Sequence, residues 1–207
     1  MTVGILDYGV GNVGSIENML KHLGAKTLRC SSPNFENKVD CLILPGVGSF
    51  DNAMKKLGEG GFIDPLNNFA LKQRKPILGI CVGMHAMGLG SEEGKEKGLG
   101  WFNFRASRIV PIEKLKIPHM GWNYVKLHGK WLSDSTLLKN SRFYFCHSFC
   151  VSAEPDHEVM MSCTYGVKIA AGLQLQNLVG VQFHPEKSHI FGLKFMEWFL
   201  DFAGENI

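Results

Sequence analysis

The sequence predicts an α/β fold with a central, mostly parallel sheet, helices on both faces and an antiparallel extension. Up to Gly90, short apolar runs alternate with stretches of helical periodicity, a pattern typical of parallel strands joined by helices. After Gly90 the chain changes to β-like stretches without long helices between them, which indicates the extension. No repeat, low-complexity tract or linker divides the chain, so we expect a single domain over residues 1–207.

Hydrophobic periodicity places the elements of the parallel half. They are a strand over Thr2–Asp7, a helix over Ser15–Gly24, strands near Lys26–Cys30 and over Val39–Leu44, helical segments to about Gln73, and a strand over Ile77–Ile80. The second half has β-like stretches over Leu99–Pro111, Pro118–Leu127, Ser141–Val151 and Glu158–Leu175, a strand over Val179–Phe183 and a last helix over Ser188–Phe202.

Composition and charge exclude several classes of protein. The net charge of +3 is too small to indicate a nucleic-acid partner. No apolar run reaches the roughly 18 residues that span a bilayer, and the chain opens on a strand-like run instead of a signal peptide. The six cysteines are irregularly spaced, so we expect no disulfide framework and a reducing, cytoplasmic location.

Two motifs suggest a ligand but lack the residues that would complete its site. Gly9–Gly14 spells Gly-x-Gly-x-x-Gly, yet the strand ending near Cys30 carries no acidic residue at its tip for a ribose. A dinucleotide site is therefore the less favoured alternative. Cys146–Cys150 includes two cysteines and a histidine but has no second pair at ligand spacing, so we expect no metal.

The strongest chemical signal is Cys81, which directly follows the apolar strand Ile77–Ile80. Gly79 and Gly83 flank it at two residues on each side, forming a Gly-x-Cys-x-Gly elbow between a strand and a helix. Such an elbow exposes the nucleophile at the tip of a sharp turn, and the helix N-terminus favours the thiolate. The alternative is a small buried cysteine near tight turns, because a catalytic cysteine also needs a base.

His184 supplies that base. It follows the last predicted strand, and Glu186 stands two residues further on. The imidazole can accept the thiol proton, and the carboxylate can fix its tautomer. A lone histidine here would more often be a packed or surface residue. Because Cys81 and His184 both follow strands of one parallel sheet, they are expected at the same sheet edge.

These motifs resemble the signatures of class I glutamine amidotransferases. The signatures are Pro45–Gly48, Gly79–Met84 and Phe183–Ser188. Asp7–Asn12, Pro118–Asn123 and Tyr144–Phe149 narrow the resemblance to the branch of glutaminase subunits of imidazole glycerol phosphate synthase, in histidine biosynthesis. The resemblance spans nearly the whole chain and implies that family's three-layer fold.

The resemblance also implies a site and a partner. Cys81 would attack the side-chain amide of L-glutamine, with His184 as base and then acid and Glu186 as orienting group. Backbone N–H groups of Val47 and Val82 would form the oxyanion hole. Gly46, Gly48, His85, His147, Ser148 and Phe149 would bind substrate. The chain would form a heterodimer with a (β/α)-barrel cyclase and pass ammonia to it. The cyclase would make imidazole glycerol phosphate and aminoimidazole carboxamide ribotide. Asn12, Met120, Trp122, Asn123, Tyr144 and Lys187 would face that partner. The family needs neither cofactor nor metal.

Two positions depart from the family pattern and keep alternatives open. His85 stands where the family usually has glutamine, and Val82 where it often has leucine. One alternative is a paralogue that feeds ammonia to another synthase, such as a surface-sugar amidotransferase. Others are a cysteine hydrolase of the same fold, which would leave Pro118–Asn123 without a role, and a non-enzymatic domain, which the intact Cys81, His184 and Glu186 argue against.

Overall fold

The computed structural model describes residues 1–110, 115–128, 140–153 and 158–206, so the predicted strand end at Pro111 lies outside the described residues. The strands in these ranges are β1 (Thr2–Leu6), β2 (Lys26–Cys30), β3 (Cys41–Leu44), β4 (Ile77–Ile80), β5 (Gly90–Ser91), β6 (Arg105–Arg108), β7 (His119–Tyr124), β8 (Lys126–Leu127), β9 (Arg142–His147), β10 (Phe149–Cys150), β11 (Val159–Tyr165), β12 (Val167–Leu175) and β13 (Leu178–Val181).

The helices follow the predicted order. They are α1 (Val13–His22), α2 (Phe50–Glu59), α3 (Ile63–Asn67), α4 (Val82–Ala86) and α5 (His189–Glu205). A π-helical turn, Asn68–Lys72, extends α3, and a 3-10 turn, Pro185–Lys187, precedes α5. None of these described helices combines the length and apolar character that crossing a bilayer requires.

The central sheet has eight strands in the order β2-β1-β3-β4-β13-β12-β11-β8. The five strands from β2 to β13 are parallel, whereas β12, β11 and β8 are antiparallel. This arrangement confirms the predicted fold class. Strands β3, β4 and β13 are buried along their whole length, as expected for parallel strands covered on both faces.

Helices cover the sheet from both sides because the direction of strand order reverses after β2. Right-handed crossovers then place α1 on one face and the helices that follow β3 and β4 on the other. Contacts agree with this placement, since α1 touches the 3-10 turn before α5, and α2 touches α4. The carboxyl ends of β1, β3, β4 and β13 meet at one edge, where α/β folds bind ligands.

Two small sheets flank this edge. Strands β10, β6 and β5 form one, and the antiparallel pair β7 and β9 forms the other. The pair brings Pro118–Asn123 beside Tyr144–Phe149, two segments that the sequence places 20 or more residues apart. Both flanking sheets therefore contribute to the walls of the site below.

Candidate active site

Cys81 occupies a strained turn between β4 and α4. Its φ of +54° and ψ of −109° lie outside the regions that L residues favour. Residue 83 must be glycine, because a Cβ there would lie 2.0 Å from the carbonyl oxygen of Leu44. The Cys81 N–H donates to the carbonyl oxygen of Val181 at 2.7 Å, and its own carbonyl accepts from the His85 N–H at 3.1 Å. The elbow predicted from sequence is thus held by backbone contacts on both sides.

His184 and Glu186 form the rest of the predicted triad. Nδ1 of His184 lies 2.9 Å from Oε1 of Glu186, and both side chains are almost fully buried. Cys81 is the other neighbour that raises the pKa of this imidazole, and Nε2 remains available to it. Oε2 of Glu186 is buried with no hydrogen-bond partner among the described residues, so His184 is the partner that satisfies this carboxylate.

The charge state of His184 follows from its neighbours. Burial alone would lower the pKa of His184, but the hydrogen bonds and negative charges of Cys81 and Glu186 outweigh it and raise the pKa to about 10. The imidazolium form therefore persists through neutral pH and is lost only as the pH rises through about 10. The site thus holds a proton on the histidine that faces Cys81.

The backbone of His184 is anchored to strand β9. Its N–H donates to the carbonyl oxygen of Tyr144 at 2.9 Å, and its carbonyl accepts from the hydroxyl of Ser188 at 2.7 Å. Ser188 Oγ in turn accepts from the Tyr144 N–H at 2.9 Å. The preceding residue, Phe183, is fully buried and stacks on Phe143 with ring centroids 3.8 Å apart. These contacts leave His184 little freedom to move away from Cys81.

The loop Pro45–Gly48 packs directly on the elbow. A Cβ on Gly46 would lie 2.4 Å from the backbone nitrogen of Gly83, so only glycine permits this approach. Gly48, with φ of +82°, is the loop glycine in the left-handed region, whereas Gly46 is not. Val47 is exposed at 39%. Val82 is the first residue of α4, and N–H groups of a first helical turn have no acceptor within the helix.

The glycine-rich turn before α1 packs against the loop Pro45–Gly48. Gly11 lies against Pro45, where a Cβ would come within 2.6 Å of the proline side chain, and the Tyr8 hydroxyl donates to the Pro45 carbonyl at 2.7 Å. Burial, together with the charge of Cys81, raises the pKa of Tyr8, which keeps the phenol protonated as that donor. Packing against Pro45 accounts for Gly11, the second glycine of the Gly-x-Gly-x-x-Gly run.

A cavity of about 370 Å³ opens in front of Cys81. The predicted site residues that line it are Val47, Gly48, Cys81, Val82, His85, His147, Ser148, Phe149, His184 and Lys187. Gly46 is the loop residue that packs on the elbow and Glu186 lies behind His184, so neither lines the cavity. The structure therefore brings together predicted residues from four separate stretches of sequence.

Two residues of the site were missed by the sequence reasoning. Glu93 lines the cavity, and its Oε2 accepts from the Phe50 N–H at the start of α2 at 2.8 Å. Gln182 is fully buried, with Nε2 3.9 Å from Sγ of Cys81 and Oε1 2.8 Å from Nε2 of His85. The register of β4 and β13 places Gln182 beside Cys81, and no motif could reveal that register.

His147 lines the cavity and is held there by two hydrogen bonds. Its Nδ1 lies 2.9 Å from the carbonyl oxygen of Phe149, and its Nε2 lies 3.0 Å from Nδ1 of His119. Burial lowers the pKa of His147 to about 3 and that of His119 to about 4, so both rings are neutral. His147 therefore donates from Nδ1, and His119 donates to its Nε2.

The predicted partner residues divide between two faces. Met120 and Trp122 are 60% and 43% exposed on β7, with Tyr144 edge-on to Trp122 and the Lys187 ammonium 5.8 Å from the Tyr144 ring centroid. Asn123 points the other way, because residues alternate along a strand, and its amide donates to the carbonyl oxygen of Thr164 at 3.0 Å. Asn12 lies at the start of α1 without a side-chain cap bond.

No group of three His, Cys, Asp or Glu side chains within the described ranges is arranged to hold a metal ion. In the predicted segment, Cys146 lines the cavity and Cys150 is buried. Burial raises the pKa of Cys150 and of Cys30 to about 11, and of Cys41 and Cys163 to about 12. These four cysteines are therefore unreactive thiols at neutral pH.

Comparison with known proteins gives one consistent result. A family model described as glutamine amidotransferase class-I matches residues 4–200. The imidazole glycerol phosphate synthase subunit HisH 2 of Methanococcus maripaludis is 47% identical over 198 residues, which cover 96% of this chain and 98% of that protein. The subunit HisH 2 of Pseudomonas aeruginosa is 42% identical, covering 95% and 98%. The subunit HisH of Leptospira interrogans is 39% identical, covering 95% and 98%.

Solved structures share the fold. A glutamine amidotransferase superposes with a TM-score of 0.77 at 18% identity, covering 98% of both chains. PurLQS from Thermotoga maritima superposes with a TM-score of 0.71 at 15% identity, covering 97% of this chain and 98% of that one. At such identities the likeness supports the architecture alone.

The proton held by His184 yields a first prediction. In Cys81→Ala and in Glu186→Gln, the pKa of His184 should fall well below about 10, because each change removes a charge that opposes burial. Titration of the histidine side-chain signals by nitrogen-15 NMR measures this shift. Cys146→Ala, which changes a cysteine of the same cavity wall, is the control and should leave the titration in place. An unshifted His184 in both variants would show that neither partner holds the proton.

Proposed function

The chain belongs to the class-I glutamine amidotransferase family, and from that premise we propose that it is the glutaminase subunit of an imidazole glycerol phosphate synthase. The substrate is L-glutamine and the products are glutamate and ammonia. One observation carries the proposal: Cys81 and His184 line one cavity of about 370 Å³, and Glu186 holds the far side of the His184 ring at 2.9 Å.

The triad accounts for each proton in the reaction. The Cys81 thiolate attacks the amide carbon of glutamine, and the His184 imidazolium gives its proton to the leaving ammonia. A glutamyl thioester remains. Neutral His184 then takes a proton from water, and the resulting hydroxide attacks the thioester. The thiolate re-forms as the new carboxylic acid leaves, and this acid loses its proton to solvent to give glutamate. Glu186 stabilises each imidazolium stage through its 2.9 Å contact.

The oxyanion of each tetrahedral intermediate is stabilised by the N–H groups of Val47 and Val82. Val82 offers a free N–H at the start of α4, and the loop of Val47 is held against α4 by Gly46. Because Val47 is part of a partly exposed loop, its peptide can change orientation when a partner binds. Losing one such donor costs roughly a hundred- to a thousand-fold in rate.

Glu93 anchors the α-ammonium group of glutamine. Its carboxylate lines the cavity and is fixed by the Phe50 N–H, which leaves its second oxygen for substrate. The neutral pair His147 and His119 shapes the opposite wall with Ser148 and Phe149. Gly46 and Gly48 set the loop above the substrate, and His85 forms part of the cavity wall near Cys81.

Ammonia passes to a (β/α)-barrel cyclase, which makes imidazole glycerol phosphate and aminoimidazole carboxamide ribotide. The barrel docks on the exposed face of Met120, Trp122 and Tyr144, with Lys187 at the boundary between this face and the cavity. Asn12 and Asn123 are assigned to the same contact from the family pattern. The heterodimer works in the cytoplasm, where six free cysteines persist.

A paralogous role is the second candidate. Two of the relatives carry the numeral 2 in their names, which distinguishes more than one such subunit in an organism. A second copy can feed ammonia to a different synthase, such as a surface-sugar amidotransferase, with the same glutaminase chemistry. Identifying what co-purifies with the chain from its host separates the two candidates, because a cyclase and a sugar amidotransferase differ in mass and sequence.

The nucleophile is tested by covalent labelling. A glutamine-analogue electrophile should modify Cys81 and spare the four buried cysteines, whose raised pKa keeps them as thiols. Cys81→Ala should abolish glutamine hydrolysis, whereas Cys146→Ser should retain both labelling and activity. Peptide mass spectrometry reads the site directly, and a label on Cys146 would refute the assignment.

Because Glu93 is proposed to bind the α-ammonium group of glutamine, substituting it should change KM more than kcat. Glu93→Gln keeps an acceptor for the Phe50 N–H but loses the charge, so KM for glutamine should rise about ten- to a hundred-fold while kcat changes less. Glu92→Gln is the matched control, since Glu92 binds the Arg108 N–H outside the cavity. Equal KM values for the two variants would remove Glu93 from the substrate site.

Partner activation provides the third test of the proposed function. The lone chain should hydrolyse glutamine slowly, and the barrel partner with its own substrate should raise the rate by two to three decades. Lys187→Ala should weaken this stimulation while retaining binding, whereas Lys56→Ala on the exposed face of α2 should not. Full turnover by the lone chain would instead favour a stand-alone hydrolase.

A further inference from the structure

Gln182 is a fully buried amide between Cys81 and His85. It directly follows β13, and its Nε2 and Oε1 face Sγ of Cys81 at 3.9 Å and Nε2 of His85 at 2.8 Å. Burying an amide without hydrogen bonds is unfavourable, because its contacts with water are lost and not replaced. The contacts with Cys81 and His85 offset that cost and hold the amide beside the active-site thiol.

The direction of the amide follows from the state of His85. Burial lowers the pKa of His85, so the ring is neutral and carries one N–H. With the proton on Nε2, His85 donates to Oε1 of Gln182, and the amide N–H of Gln182 faces the sulfur. Nδ1 is then an acceptor, and it is buried with no hydrogen-bond partner among the described residues.

The opposite orientation is disfavoured on two counts. A flipped amide would direct its carbonyl oxygen at the Cys81 thiolate, where two negative atoms repel each other. It would also require the His85 proton on Nδ1, leaving a buried donor unpaired, which proteins tolerate less well than an unpaired acceptor. Only the first orientation directs an amide N–H of Gln182 at the thiol and leaves His85 with an unpaired acceptor instead of an unpaired donor.

We propose that Gln182 is a positioning residue that donates an amide N–H to the Cys81 thiolate, and that His85 sets the direction of that amide. The inference rests on the proposed function, since it adds a residue to the same site. The other titratable groups near the sulfur are His184, with Glu186 behind it, and Tyr8 below the Pro45 loop. Unlike these groups, the amide of Gln182 does not titrate, so its N–H is available at every pH.

The role also explains what a residue at position 85 must provide. Histidine and glutamine can each donate an N–H to Oε1 of Gln182, whereas leucine cannot. His85→Gln should therefore preserve the amide direction, and His85→Leu should release it. A purely space-filling side chain would show no such distinction between the two replacements.

The test measures the thiol without glutamine or partner. In a Cys146→Ser background, the rate of Cys81 alkylation by iodoacetamide is followed against pH, and its midpoint reports the thiol pKa. Gln182→Met should raise the midpoint by about one unit, because one hydrogen bond to the charged form is lost. His85→Leu should shift it similarly, and His85→Gln should leave it within a few tenths of a unit.

The double variant separates a coupled pair from two independent effects. His85→Leu with Gln182→Met should shift the midpoint no further than Gln182→Met alone, since both changes remove the same N–H. Gln174→Met, in the neighbouring strand β12 where residue 174 pairs with Val179, is the matched control and should have no effect. Additive shifts would show that His85 does not act through Gln182.

Folding is checked for every variant by circular dichroism. If Gln182→Met does not fold, Gln182→Glu has the same shape and should raise the midpoint further by adding negative charge. An unchanged midpoint in a folded Gln182 variant would overturn the proposal and leave Gln182 a packing residue. Failure of the proposed function is a different outcome, because it would appear as glutamine hydrolysis retained in Cys81→Ala.

Discussion

The active site depends on the in-register pairing of two parallel strands. Ile80 of β4 lies opposite Val181 of β13, so the residues that follow each strand emerge side by side at one sheet edge. The 2.7 Å bond from the Cys81 N–H to Val181 extends this ladder into the elbow itself. A slip of one residue would turn the following side chains to the other face of the sheet and separate the thiol from its base.

Much of this arrangement could be predicted from sequence because it depends on the pattern of neighbouring residues in short stretches. Local sequence is enough to predict three features: the strand Ile77–Ile80, the glycine-flanked turn at Cys81 and the strand before His184. Glu93 and Gln182 carry no such local signal. Their positions depend on a loop that folds back onto α2 and on the register between two distant strands. The opposite directions of Trp122 and Asn123 likewise follow from strand alternation, which was visible only once β7 was defined.

The proposed partner-facing surface and the proposed catalytic base, His184, share one backbone connection. Tyr144 presents its ring beside Trp122 on the outer face, while its carbonyl accepts from the His184 N–H. Ser188 bridges the same two residues from the other side. A docked protein that displaces β9 would therefore move the backbone of His184 directly, because one hydrogen bond joins His184 to Tyr144.

The backbone contact between Gly46 and Gly83 has a consequence for how such a protein can diversify. A Cβ added at Gly46 would lie 2.4 Å from the Gly83 nitrogen and one at Gly83 2.0 Å from the Leu44 carbonyl oxygen, so neither glycine can accept a side chain without moving the backbone. The outer strand β7 is under no such restriction, because Met120, Trp122 and Tyr124 project into open space. Gene duplicates can therefore exchange ammonia acceptors by changing a few surface residues, while the chemistry that makes ammonia is inherited unchanged.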